Sequence, residues 1–189
     1  MTERKTYTVE IAGLTRHLPL FEVAPGVTIA IFNMLGDTHV VKASAAVLAE
    51  KLADSAGEVL LTAEAKSMPL VYEMSALMGL PYVVLRKAYK SYMGDAIKAT
   101  TVSITTGAEQ TLYLDEKDKS LVEGKKVIVL DDVVSTGSTV KGMQNVIEAA
   151  GGETSDIAAV FTEGDADCAE LASLPSGALP ARRAHPETV

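Results

Sequence analysis

A single cysteine, Cys168, stands in a chain of 189 residues. An internal disulfide and a multi-cysteine metal site are both excluded, and a packed thiol is the plain reading of that side chain. Basic residues are in deficit: 17 Lys and Arg against 25 Asp and Glu give a formal net charge of -8. Nucleic-acid binding draws most of its affinity from cations that neutralise phosphates, so a nucleic-acid partner is not expected. A local cationic pocket for a small phosphorylated ligand remains compatible with the deficit. Long apolar runs are missing as well. The start, Met1-Thr2-Glu3-Arg4-Lys5, offers no apolar signal-peptide core. The longest uncharged stretch, 23–36, is interrupted by Pro25, Gly26 and Asn33, and a bilayer span needs about 20 apolar residues. The expectation is a soluble cytoplasmic protein without a membrane partner. His17, His39 and His185 have no clustered partners and receive no role. There is no repeat of solenoid period, no Walker loop and no Gly-x-Gly-x-x-Gly.

What remains is ordinary globular material, 48% hydrophobic and 22% charged. Residues 7–35 alternate short apolar runs with Gly and Pro, which predicts two or three short strands, one over Val27–Phe32. From Asp37 to Ala56, Val40, Val41, Ala45, Leu48 and Leu52 recur at helical spacing. A strand over Glu58–Thr62, a helix over Met68–Met78 and a strand over Pro81–Leu85 follow. Tyr89–Ala99 has no period and reads as an exposed loop. Thr101–Ile104 and Gln110–Leu114 read as a hairpin, and Asp115–Gly124 as a charged connection. Val127–Leu130 is the strongest buried strand. Val140, Met143, Val146, Ile147 and Ala150 mark an amphipathic helix, and Ile157–Phe161 a last strand. Strands alternating with helices predict an α/β fold with a parallel sheet covered on both faces. The segment from Ser173, with three prolines, is expected to be loosely ordered.

The chemistry concentrates at 127–139. Four aliphatic residues run into Asp131 and Asp132, at the end of a strand where open α/β sheets bind ligands. Then Ser135-Thr136-Gly137-Ser138-Thr139 leads into a helix. A small-residue turn before a helix presents free N–H groups and the positive end of the helix dipole, an anion site suited to a phosphate monoester. The adjacent carboxylates can accept hydrogen bonds from vicinal hydroxyls and stabilise positive charge. A ligand with a phosphate at one end and a diol in the middle is a phosphorylated ribose.

Residues 127–139 resemble the signature by which type I phosphoribosyltransferases bind 5-phosphoribosyl-1-pyrophosphate (PRPP). Leu61-Thr62-Ala63-Glu64-Ala65-Lys66 resembles the pyrophosphate loop of adenine phosphoribosyltransferases, with Lys66 in place of an Arg. Leu80–Lys87 resembles the same family's next strand, and Pro19–Asp37 its hood. The resemblance implies a Rossmann-like core with a central parallel sheet flanked by helices. Segments 1–36, 37–172 and 173–189 would be the hood, the core and the loose tail.

The implied reaction moves 5-phosphoribose from Mg-PRPP to a purine base and releases pyrophosphate. Asp131 and Asp132 would serve the ribose as catalytic residues. Ser135, Thr136, Gly137, Ser138 and Thr139 would hold the 5′-phosphate. Ala65, Lys66, Lys87 and Lys90 would hold the pyrophosphate, with residues 89–99 as a lid. Mg²⁺ would be carried mainly by PRPP, with no direct protein ligand. Phe32, Asn33, Thr105 and Glu163 are the base-site candidates. Thr105 stands where adenine enzymes of this family carry a Glu. Ser103–Gly107 and Arg86–Ser91 also resemble xanthine phosphoribosyltransferases. Adenine is the favoured acceptor, with a 6-oxopurine or a non-catalytic PRPP-sensing regulator as alternatives. The resemblance implies a homodimer.

Overall fold

Side chains of neighbouring strands alternate between two separate cores. A computed structural model describes residues 4–102, 109–163, 171–173 and 178–179. Near the N-terminus, β1 (Thr6–Ile11), β2 (Leu14–Ala24) and β3 (Val27–Ala30) form an antiparallel sheet in that order. Helix α1 (Thr38–Lys51), β4 (Val59–Ala63), α2 (Met68–Met78) and β5 (Tyr82–Leu85) follow. Next come the hairpin β6 (Ile97–Val102) and β7 (Glu109–Leu114), the short helix α3 (Lys119–Val122), β8 (Lys126–Val134), α4 (Ser138–Ala149) and β9 (Glu153–Glu163). Two short strands, β10 (Leu171–Ser173) and β11 (Ala178–Leu179), pair with β9.

The main sheet has the order β10-β9-β8-β4-β5, and its pairings are parallel. Leu60 faces Ile128 and Leu61 faces Val129 across β4 and β8. A pleated strand sends successive side chains to opposite faces. Leu60, Ile128, Leu130, Ala158 and Val160 therefore join α1, α2 and the first sheet in one core. Val59, Leu61, Val127, Val129 and Ile157 join α4 and the β6–β7 hairpin in the other. Both faces of the central strands are buried, which is why they read as continuous aliphatic runs.

Chain order places the site. From β4 the chain crosses through α2 to β5 on one side. From β8 it crosses through α4 to β9 on the other. The crevice between the C-terminal ends of β4 and β8 is thus the point where the strand order reverses, the usual ligand position in open α/β sheets.

Two sequence expectations need correction. The aspartates do not follow a strand that ends at Leu130: β8 continues through Val134, because the eleven-residue β9 supplies partners such as Ala159 for Asp131 and Phe161 for Val133. Tyr89–Ala99 is not wholly an exposed loop. A 3₁₀ turn at Ser91–Met93 buries Met93 completely, and β6 already starts at Ile97. A single turn is too short to show a period. Ala178–Leu179 adds to the edge of β9 at Thr162 and Glu163, which satisfies backbone groups there.

Candidate functional site

The Ser-Thr-Gly-Ser-Thr run does form a turn into α4. Gly137 has φ +73°, a left-handed conformation that glycine adopts at no steric cost, and it is the residue from which α4 starts. No side chain caps this end. The first N–H groups of α4 are therefore open to an anion. The Lys141 N–H begins the helical ladder by donating to the Gly137 carbonyl at 2.8 Å. Thr136 Oγ1 donates to Ser138 Oγ at 3.2 Å, which orients two hydroxyls of the turn. Ser135, Thr136, Gly137, Ser138 and Thr139 line one hollow, with Asp131 at its edge.

A second hollow adjoins the first and shares Asp131, Val133 and Thr139 with it. It is also lined by Ala65, Lys66, Lys87 and Asp132. Lys66 Nζ lies 3.3 Å from Asp132 Oδ2 and reaches the Phe32 carbonyl at 3.4 Å. Distance makes the first contact an ion pair, yet its direction is off the hydrogen-bond axis, so this buried carboxylate oxygen has no donor. Lys87 is positioned by its neighbours: its backbone N–H donates to Glu64 Oε1 at 2.6 Å. The other oxygen of Glu64 is 2.6 Å from Arg86 Nε. One carboxylate thus ties the loop after β4 to the end of β5.

Both aspartates are buried, with 9% and 8% of their surface exposed. Burial pushes the Asp131 carboxyl up to about 7, and the neighbouring Asp132 charge pushes in the same direction. The Asp132 N–H, donating to Asp131 Oδ1 at 2.8 Å, acts against that rise. So does Ser67, whose hydroxyl is 3.4 Å from the same oxygen.

The other candidates are placed less uniformly. Lys90 is not among the residues lining either hollow; its N–H donates to Met93 Sδ at 3.3 Å. Phe32 is 4% exposed, and its ring stands edge-on to Phe161 with centroids 4.9 Å apart. Only its carbonyl is directed toward Lys66. Exposed Asn33 accepts a local hydrogen bond from the Leu35 N–H at 3.1 Å. Glu163 ends β9, and Thr105 lies outside the described residues. Thr62, Glu64, Ser67 and Arg86 had no assigned role in the sequence reading. A threonine inside the aliphatic run of β4 was the available signal for the first.

A family model for the phosphoribosyl transferase domain matches residues 33–172. The chain belongs to that family. A hypoxanthine/guanine phosphoribosyltransferase of Methanocaldococcus vulcanius is 38% identical over 106 residues, 56% of this chain and 54% of that protein. The purine biosynthesis transcriptional repressor PurR of Bacillus subtilis is 27% identical over 126 residues, 67% of this chain and 44% of the repressor. The chain spans about half the length of these relatives. Adenine phosphoribosyltransferase from Thermoanaerobacter pseudethanolicus superimposes with a TM-score of 0.63 at 18% identity, covering 90% of this chain and 94% of that one. The shared architecture is the type I phosphoribosyltransferase fold, with the N-terminal antiparallel strands as its hood.

Proposed function

We propose that this chain transfers 5-phosphoribose from Mg-PRPP to a purine base in purine salvage, releasing pyrophosphate. The observation that carries this reading is the pair of adjoining hollows that share Asp131 and Thr139. One is an uncapped helix N-terminus rimmed by hydroxyls, fit for a phosphate monoester. The other combines two buried carboxylates with two lysines, fit for a ribose ring and its leaving group.

In this reading the C1–oxygen bond to pyrophosphate breaks as a ring nitrogen of the base bonds to C1. Positive charge grows on the ribose, and the carboxylates of Asp131 and Asp132 face it. Lys66 and Lys87 hold the departing oxyanions. Among the described residues no group of three His, Cys, Asp or Glu side chains is arranged to bind a metal. The ion is carried on the oxygens of PRPP and on water. When bound, Mg²⁺ supplies charge neutralisation to the pyrophosphoryl group.

Adenine was favoured by the hood and by the pyrophosphate loop. The relatives divide: those similar in sequence are named for hypoxanthine and guanine, while the adenine enzymes are similar in fold at 18–19% identity. We therefore place a 6-oxopurine alongside adenine as acceptor. PurR supports a second reading, a regulator that binds PRPP without turnover. Cytoplasmic location and a homodimer belong to the same proposal. Among the described residues no helix is long and apolar enough to cross a membrane.

The test is pyrophosphate release from Mg-PRPP with adenine, hypoxanthine, guanine and xanthine offered separately. Release with at least one base is expected. Tight PRPP binding with no release from any base would overturn the enzyme reading in favour of the regulator.

A further inference from the structure

Ser67 occupies the N-cap position of α2 but makes no side-chain cap bond to its own helix. Serine is favoured there because its oxygen accepts from the free N–H groups of the first turn. Here the hydroxyl is buried, with 2% of the residue exposed, and turned toward the acid pair. It lies 2.9 Å from Thr62 Oγ1 and 3.4 Å from Asp131 Oδ1. Thr62 is fully buried, and its hydroxyl donates to the Leu130 carbonyl at 2.7 Å.

Proton counting fixes how this group works. Each hydroxyl carries one proton, and a carbonyl can only accept. Thr62 has one proton for two acceptors, the Leu130 carbonyl and Ser67 Oγ, while Ser67 directs its own proton at Asp131 Oδ1. An ionised Asp131 strengthens the bond from Ser67, because hydrogen bonds to charged acceptors are the stronger ones, and with it the pull of Ser67 on the Thr62 proton. A protonated carboxyl leaves the Thr62 proton with Leu130.

We propose that Ser67 is a positioning residue for Asp131, a buried hydroxyl that donates to the carboxylate, is backed by the Thr62 hydroxyl, and thereby sets how readily that carboxylate ionises. The charged groups around Asp131 are Asp132 beside it, Glu64 and Lys66 on the loop after β4, and Lys87 at the end of β5. β9 offers only apolar neighbours there, with Ala159 opposite. The α4 terminus adds its dipole and the uncharged Thr139. Ser67 is thus an adjustable neutral donor among fixed charges, and its effect separates from theirs by mutation.

The kinetic consequence rests on the proposed transferase reading; the titration does not. The experiment is a ¹³C NMR pH titration of aspartate carboxyls in the full chain without PRPP, with the Asp131 signal assigned through Asp131→Asn. Ser67→Ala removes a donor to the ionised form and is expected to raise the Asp131 midpoint by about one pH unit, a roughly tenfold change in its ionisation constant. Thr62→Val removes only the donor behind Ser67 and is expected to raise that midpoint by less. Ser67→Thr, which keeps the hydroxyl, is expected to restore it. If the enzyme turns over, the acidic limb of its kcat/KM profile moves with the same signs. A merely structural disturbance would shift Ser67→Thr as far as Ser67→Ala. Such a shift, or no rise in Ser67→Ala, overturns the proposal. Should Ser67→Ala fail to fold, a rise in Thr62→Val supports it and no rise overturns it. Absence of turnover in the wild type would defeat the transferase reading and leave this titration fully readable.

Discussion

Lys66 Nζ rests 3.3 Å from Asp132 Oδ2, so the cation proposed for the leaving group touches the carboxylate proposed for the ribose. The same ammonium reaches the Phe32 carbonyl, just beyond the strands of the hood. Lys66 is therefore shared among three parts of the site.

That sharing predicts the behaviour of two substitutions. Lys66→Met leaves the shape of the loop and deletes the charge. The side chain is 49% exposed, so the ion pair contributes on the order of 1 kcal/mol or less to folding, and stability should change little. PRPP binding should weaken by at least about tenfold, since a charge-assisted contact to the pyrophosphoryl oxygens is lost. Lys66→Arg, the residue of the adenine-type loop, should bind within a few-fold of wild type. Isothermal titration with Mg-PRPP checks both. Unchanged affinity in Lys66→Met would remove this residue from the leaving-group site.

Asp131 makes stability depend on pH in a stated direction. Its carboxyl titrates higher in the folded chain, about 7, than the ordinary 3.8. Between those values the folded state holds a proton that the unfolded state has released. Stability from this group must then fall as pH rises from about 4 to about 7. Asp131→Asn should flatten that decline, measured as Tm against pH without ligand. A wild-type Tm that rises across this window while the variant's rises equally would show that Asp131 ionises without cost.

Much of the architecture was legible because it rests on repeating patterns. The helical spacing over Val40, Val41, Ala45 and Leu48 and the aliphatic run of β8 both mark surfaces that must be buried. The turn into α4 was legible for a different reason: Gly137 with its flanking hydroxyls is a local backbone device, complete within a few residues. Roles set by distant partners left no such trace. Ser67 carries no role in the sequence until Asp131, 64 residues away, is seen beside it. Phe32 reads as a base-site candidate, and only the fold shows its ring packed against Phe161. Lys90 stands three residues from Lys87, yet of the two only Lys87 lines the cleft; Lys90 stands at the head of the turn that buries Met93.

Arg16 and Asp37 join the hood to the core. Arg16 on β2 donates to Asp37 through Nε at 2.6 Å and through a terminal nitrogen at 3.1 Å. Asp37 also accepts from the Val40 N–H at 3.1 Å and so caps α1. The guanidinium holds this carboxyl down at about 2. Its contribution is therefore present above about pH 4 and lost as pH falls through 2, outside the Asp131 window. Asp37→Asn keeps a capping oxygen and loses the ion pair; Asp37→Ala loses both. Alanine should therefore be less stable than asparagine by about 1 kcal/mol, the usual worth of a cap. Urea denaturation of the two variants reads the difference. Equal stabilities would mean that the capping bond contributes nothing.

Gly142 sits in α4 where the β6–β7 hairpin packs against the helix. A Cβ built there would meet Thr101 Cγ2 at 2.7 Å and Leu112 Cδ1 at 3.2 Å. Thr101 is β-branched, its hydroxyl is directed at the Ser138 carbonyl, and it has little freedom to turn away. Two effects then compete in Gly142→Ala. Alanine favours a helix interior by about 1 kcal/mol over glycine. Overpacking a tight contact costs about 1–3 kcal/mol. The net change should be destabilising by up to about 2 kcal/mol, and it should relax by moving the hairpin off α4. Because Ser138 belongs to the turn proposed to hold the 5′-phosphate, that displacement should also raise the KM for PRPP. Pairing Gly142→Ala with Thr101→Ser removes the clashing methyl and should recover both stability and KM. Failure of the pair to recover either one would locate the constraint at Leu112 instead.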